Sequence, residues 1–105
     1  MISEFVKVCS TEEIPDGESK VFELEGKPVL VAKYNGEYYA IDNICSHDGG
    51  DLGAGHVIDG QVECPRHGAR FDVTTGNATR MPAAFGVEKY DLKVEDGFVF
   101  ISIED

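Results

Sequence analysis

A chain of 105 residues holding twenty Asp and Glu against nine Lys and Arg, a formal net charge of −11, has the size of one compact domain. That charge repels phosphate backbones and excludes nucleic acid as a partner, and no apolar run approaches the ~20 residues that cross a bilayer. Three cysteines far apart in sequence argue against a disulfide framework; in a reducing compartment such thiols serve as metal ligands, as catalysts or as plain interior.

The amino-terminal "MISEFVKVCSTEE" has neither a cationic leader nor a long apolar stretch, so a cytoplasmic location is expected. Cys9 follows the alternation of "FVKV" and reads as a small buried hydrophobe. Ser10 and Glu13 match a capping box, but Pro15 and Gly17 stop that helix within about one turn. From there the chain runs in short β segments separated by turn dipeptides. "KVFELE" turns at Glu25-Gly26 into "KPVLVAKY", which turns at Asn35-Gly36 into "EYYAID". "HVI" and "QVEC" flank Asp59-Gly60, and "DLKVE" passes through Asp96-Gly97 into "FVFISI". Four hairpins make an antiparallel β protein. In "FVFISI", Phe98, Phe100 and Ser102 share one face and Val99, Ile101 and Ile103 the other, so both faces are candidates for cover, as in stacked sheets. Tyr34, Tyr38, Tyr39, Phe22, Phe85, Phe98 and Phe100 read as core or cross-strand pairs. No repeat or linker divides the chain, so residues 1–105 are expected to form one domain.

The segments without strand character are 45–55, 65–70 and 74–86, and two of them carry cysteine with histidine. The pattern is Cys45-x-His47, sixteen intervening residues, then Cys64-x-x-His67. Each half delivers one thiolate and one imidazole from a tight loop, a set that tetrahedral zinc and an iron–sulfur centre can both use. A zinc finger of the usual kind keeps its cysteines in one half and its histidines, on a helix, in the other; this chain mixes them and lacks the helix. A two-iron cluster with two cysteines on one iron and two histidines on the other needs each loop to reach across both metals, as these loops would. Glycines in "HDGGDLGAG" and "RHGAR" let backbone crowd a cluster and aim N–H donors at its sulfides. His56 has no cysteine at metal-like spacing and reads as an ordinary histidine. A Cys–His nucleophile fits poorly, since groups so close in a loop converge on a metal and nothing marks an orienting third residue. Residues 45–85 hold five acids and all three arginines, Arg66, Arg70 and Arg80, which makes this stretch the less negative part of the chain. Those arginines either neutralise Asp51, Glu63 and Asp72 or meet an acidic partner.

On these residues the chain resembles the Rieske family, and within it the small ferredoxins of bacterial ring-hydroxylating dioxygenase systems. "CSHDGGDLGAGHVIDGQVECPRHGARFDVTTG" matches the two cluster loops, and "PAAFGVEKYDLKVEDGFVFI" is similar to the proline loop and closing strands; the likeness runs from about Phe5 to Ile103. The resemblance implies an all-β fold of three stacked antiparallel sheets, a cluster-binding subdomain at about 43–73 and a proline loop at about 79–86. It implies a Rieske-type 2Fe-2S cluster whose inner iron is held by Cys45 and Cys64 and whose outer iron, near the surface, is held by His47 and His67, with Pro82 over the cluster. The implied function is not catalysis. It is one-electron carriage, by a monomer, from a flavin-dependent NAD(P)H ferredoxin reductase to a terminal aromatic-ring dioxygenase in aromatic hydrocarbon catabolism. Both partners would dock transiently at the histidine edge, near Gly49, Gly68 and Pro82.

Two departures from the respiratory members bear on this. The positions where those proteins carry an extra cysteine pair are Gly50 and Arg66, so no disulfide clips the loops. The positions of their serine and tyrosine donors to sulfur are Ala69 and Phe71, which implies a reduction potential at the low end of the Rieske range, about −150 mV. Two other readings remain: a small Rieske-type subunit of an NAD(P)H nitrite reductase, and a structural zinc domain that mediates protein contacts. An isolated oxygenase domain is disfavoured, because only His56 is left over for a mononuclear iron site.

Overall fold

In the computed structural model, which describes residues 4–43, 57–64, 68–81 and 86–103, four dipeptides set the course of the chain. Glu25, Asn35, Asp59 and Asp96 adopt left-handed backbone with φ between 49° and 52°, and the glycine after each has φ between 74° and 81°. Two successive positive φ values define the two-residue turn whose twist matches that of paired strands. Three of the four expected hairpins pair as strands; at Asp59-Gly60 the turn forms, but the described part of "HVI" meets "QVEC" only through an isolated bridge, Ile58 to Gln61. The strands are β1 (Glu4–Ser10), β2 (Ser19–Leu24), β3 (Lys27–Tyr34), β4 (Glu37–Asp42), β5 (Gln61–Glu63), β6 (Arg70–Asp72), β7 (Ala78–Arg80), β8 (Lys89–Tyr90), β9 (Leu92–Glu95) and β10 (Phe98–Ile103). They pair antiparallel in three sheets, ordered β1-β10-β9, β2-β3-β4-β8 and β5-β6-β7. Between β1 and β2 lies a single 3-10 turn, Thr11–Glu13. Its capping box is present: the Glu13 carboxylate accepts from Ser10 N at 2.8 Å and Ser10 Oγ accepts from Glu12 N at 3.2 Å.

The middle sheet is the four-stranded one, and β3 shows why. Val29, Leu30, Val31 and Ala32 are all fully buried, although alternate residues of a strand point to opposite faces. Val29 and Val31 join Cys9, Ile14, Ala40, Tyr90, Val99 and Ile101 in one apolar cluster against β1-β10-β9. Leu30 and Ala32 join Ile41, Val57, Val62, Cys64, Ala69, Phe71 and Val73 in a second cluster against β5-β6-β7. The continuous apolar run in "PVLVA" thus reflects a strand covered on both sides.

For "FVFISI" the expectation of two covered faces holds only in part. Val99 and Ile101 are fully buried, but β10 belongs to an outer sheet, and Phe98 and Phe100 on its other face are half-buried. Lysine stems cover them: Lys7 Nζ lies 3.9 Å from the Phe98 ring centre and Lys93 Nζ 5.5 Å from that of Phe100. Cys9 is interior as expected, through a device that alternation does not contain. A bulge between Lys7 and Cys9 adds one residue to β1, so that Val6 and Cys9 both face inward, opposite Ile101 and Val99.

The third sheet is contributed by residues that lie between β4 and β8 in the chain. Val57 N donates to Gly17 O at 2.8 Å, and a Cβ on Gly60 would stand 3.2 Å from the Tyr34 ring, so the sheet sits directly on the middle one. Among the described residues no helix is long and apolar enough to cross a membrane.

Candidate functional site

Of the four expected ligands, Cys64 is described; Cys45, His47 and His67 lie outside the described residues, as do His56, Gly49, Gly50, Asp51, Arg66, Pro82 and Phe85. Cys64 directly follows β5. Its N–H donates to Ala69 O at 2.7 Å, and its carbonyl accepts from Gly68 N at 3.0 Å. Two hydrogen bonds therefore tie Cys64 to Gly68 and Ala69 at the end of the β5-β6 hairpin. Gly68 has φ +76, a conformation that glycine adopts without strain, and this lets the chain reverse within so few residues.

The Cys64 side chain is fully buried among Val62, Ala69, Phe71, Val73, Leu30 and Ile41. A soft sulfur donor in a dry apolar setting, at the head of a closed loop, suits a metal–sulfur group, whose bonds to sulfur replace the lost hydration. Ala69 and Phe71, the positions without hydroxyl donors, are themselves fully buried. The surroundings of Cys64 are apolar to that depth.

Outside this pocket the hairpin carries charge. Glu63 and Arg70 are directly opposed across β5 and β6, and Arg70 Nε donates to Glu63 Oε1 at 2.8 Å. Both side chains are partly exposed, so the pair adds about 0.2–1 kcal/mol at the neck of the loop. Of the two roles open to the arginines, Arg70 takes the neutralising one. Beyond β6 the chain folds into a tight turn: Asp72 Oδ1 accepts from Thr74 N at 2.8 Å and from Thr74 Oγ1 at 2.6 Å, and Gly76 N donates to Asp72 O at 2.7 Å. Thr79 on β7 donates its hydroxyl to Gln61 Oε1 on β5 at 2.9 Å, spanning the sheet.

Two titratable groups away from this sheet have plain roles. Burial, and then the negative charge of Glu13, raise the Cys9 thiol above its ordinary pKa, which makes it an inert interior group. Tyr90 donates its hydroxyl to Asp42 Oδ1; burial first, and this bond second, raise the phenol well above its usual value. The sequence reading missed that pair, because Asp42 and Tyr90 are 48 residues apart. It also missed the turn at Asp72, although an Asp two residues before a Thr is a recognisable turn signal.

Comparison with known proteins agrees with the geometry. Residues 4–91 match the Rieske [2Fe-2S] domain family. The chain is 35% identical to the 3-phenylpropionate/cinnamic acid dioxygenase ferredoxin subunit of Photorhabdus laumondii over 93% of this chain and 93% of that protein. Among solved structures it superposes on the ferredoxin of carbazole 1,9a-dioxygenase from Nocardioides aromaticivorans IC177 with a TM-score of 0.88 and 32% identity, covering 95% of this chain and 98% of that one. It also superposes on a chain from a complex of reduced oxygenase and oxidized ferredoxin in carbazole 1,9a-dioxygenase, with a TM-score of 0.86 and 26% identity over 93% and 92% of the two chains. With a buried cysteine heading a closed hairpin loop, three stacked antiparallel sheets and a match across most of its length, the chain belongs to the Rieske [2Fe-2S] domain family.

Proposed function

We propose that this protein is a ferredoxin, a one-electron carrier and not an enzyme, that serves a ring-hydroxylating dioxygenase system in the cytoplasm. Cys45, His47, Cys64 and His67 hold its 2Fe-2S cluster, the cysteines on one iron and the histidines on the other. When bound, such a cluster takes up one electron and gives it away, with no bond made or broken in a substrate. The chain's own residues supply the rest. Val62, Ala69, Phe71 and Val73 keep water from the sulfur side, and the closed loop 64–69 holds its ligands in place. The reading includes a cluster-binding subdomain over about 43–73, which takes in β5 and β6, and a proline loop over about 79–86. Its electron source is a flavin-dependent NAD(P)H reductase and its acceptor a terminal oxygenase, each docking briefly on a monomer at the histidine edge; small transient contacts are normal for electron-transfer partners. Support for the acceptor comes from the likeness to a ferredoxin captured with its oxygenase.

The observation that carries this proposal is the placement of Cys64: a fully buried sulfur directly after β5, set in an apolar cluster and tied by two backbone hydrogen bonds to Gly68 and Ala69. The direct test is an iron and acid-labile sulfide assay together with electron paramagnetic resonance of the dithionite-reduced protein. Equal amounts of iron and sulfide with a rhombic signal are expected; a colourless, resonance-silent zinc protein would sink the reading. Replacing a ligand, as in His67→Ala, is expected to remove most of the cluster, because ligation supplies part of the energy that orders the loops.

A further inference from the structure

Asn35-Gly36 is the one Asn-Gly pair in the sequence, and the fold gives its peptide nitrogen a charged neighbour. Asn35 is exposed at the tip of the β3-β4 hairpin with φ 52°, and Gly36 follows with φ 80° and nothing within 4 Å of where a side chain would begin. Gly36 N donates to Asp16 Oδ1 at 2.8 Å, across 20 residues of sequence. That carboxylate is held in place by backbone. Gly17 N donates to Lys33 O at 2.8 Å and Lys33 N to Glu18 O at 3.0 Å, so the connection that follows the fully buried Ile14 is tied to the end of β3.

An Asn-Gly pair carries its own reaction. When Gly36 N–H gives its proton to hydroxide, the nitrogen attacks Asn35 Cγ; the new N–C bond forms, the Cγ–Nδ2 bond breaks, and ammonia leaves with a proton from water, which restores the hydroxide. Water then opens the five-membered imide at either carbonyl and leaves aspartate or isoaspartate at position 35. No oxidant or metal enters. Open space around Gly36 leaves the path of attack clear. The nitrogen must become negative to react, however, and the Asp16 carboxylate already accepts its proton in a hydrogen bond. Like charges this close repel by more than thermal energy even in bulk water.

We propose that Asn35 is a deamidation site that Asp16 keeps closed: in the folded protein the carboxylate holds the Gly36 nitrogen protonated, and local detachment of the 14–18 connection opens the site. The product undoes the contact that protected it. A carboxylate at position 35 adds like charge beside Asp16, and the isoaspartate form lengthens the backbone next to Tyr34. The Tyr34 ring stands 3.2 Å from where a side chain on Gly60 would begin, in the turn that leads into β5, and packs against the cluster that contains Cys64. Deamidation therefore loosens the joint between the middle and third sheets. No step of this chemistry uses a metal cluster, so the site exists whether or not the protein carries electrons.

The test uses the native protein, Asp16→Ala and Glu23→Ala, the last as an equal loss of one exposed carboxylate elsewhere. Each is held at one mildly alkaline pH and at temperatures equally far below its Tm, and conversion of Asn35 is read by peptide mass spectrometry. Exchange of the Gly36 amide hydrogen is followed by nuclear magnetic resonance, because base-catalysed exchange passes through the same deprotonated nitrogen. Asp16→Ala is expected to convert Asn35, and to exchange the Gly36 hydrogen, about 10-fold faster than the native protein, with Glu23→Ala unchanged. Equal conversion in Asp16→Ala and the native protein overturns the proposal. So does native conversion as fast as that of the same chain unfolded in urea. Exchange in Asp16→Ala that quickens equally at the strand amides of β3 and β4 also overturns it, since the effect would then be a general loosening of the hairpin.

Discussion

Ala69 and Phe71 show how much can turn on single side chains. Both are fully buried beside Cys64 and neither has a hydroxyl to offer a sulfur, so nothing at these positions stabilises the extra electron of a reduced cluster. A midpoint near about −150 mV is expected, and Ala69→Ser should raise it; a redox titration of the two proteins reads both, and a native midpoint above zero contradicts the argument. Ser102 is the opposite case, a hydroxyl where none is needed. It is buried, its Oγ has no hydrogen-bond partner among the described residues, and it borders a cavity of about 100 Å³ with Glu88, Lys89, Tyr90 and Asp91. An unsatisfied buried hydroxyl costs about 1–3 kcal/mol, so Ser102→Ala should leave urea-unfolding stability unchanged or raise it by up to about 1 kcal/mol. A clear loss would mean that solvent in the cavity partners the hydroxyl. Cys9 was legible in kind but not in mechanism: its apolar character is a residue property, whereas its inward direction depends on the bulge in β1.

At the scale of elements, β8 is the weak joint. It has two residues, pairs with β4 only at Ala40–Tyr90 and Ile41–Lys89, and is continued by Asp42 N donating to Glu88 O at 2.9 Å. The bond from the Tyr90 hydroxyl to the Asp42 carboxylate adds what the short ladder lacks. Hydrogen bonds to a charged group are worth about 1.5–3 kcal/mol, and Tyr90→Phe should lose about that much at neutral pH. Because the folded pKa of Tyr90 is raised, its contribution is complete below about pH 10 and is lost as pH rises beyond that toward the folded value. The stability gap between native protein and Tyr90→Phe should accordingly stay constant from pH 7 to about 9 and shrink above about 10; a gap that widened there would contradict the assigned pairing. Hairpins were the most legible elements, since Asn-Gly and the two Asp-Gly dipeptides favour the two positive φ values of their turn, and Glu25-Gly26 takes the same shape with its glycine supplying the second. The least legible were β8, whose two residues have no periodicity to detect, and β7, whose three residues fall inside the segment 74–86 that was expected to lack strand character.

For the whole molecule, the middle sheet divides the interior into two clusters, and neighbouring residues of β3 report on different halves. Leu30→Ala opens a cavity on the side of Cys64, whereas Val31→Ala opens one toward β1-β10-β9. The leucine change should cost about 2–5 kcal/mol and the valine change somewhat less, both read from thermal unfolding. Only Leu30→Ala should also hasten cluster loss at temperatures equally far below Tm. Equal effects on cluster retention would show that the two clusters act as one. The turn dipeptides were readable from the sequence because they are local: a dipeptide carries its own φ preference, just as a thiol or an imidazole carries its chemistry wherever it sits. Which face of a strand is covered, that β10 has one face under lysine stems while β3 has none open, that Tyr90 reaches Asp42, and that Gly36 N meets Asp16 were decided by tertiary structure. Each depends on which distant segment arrives alongside, and only closing the long loops between those segments brings them into contact.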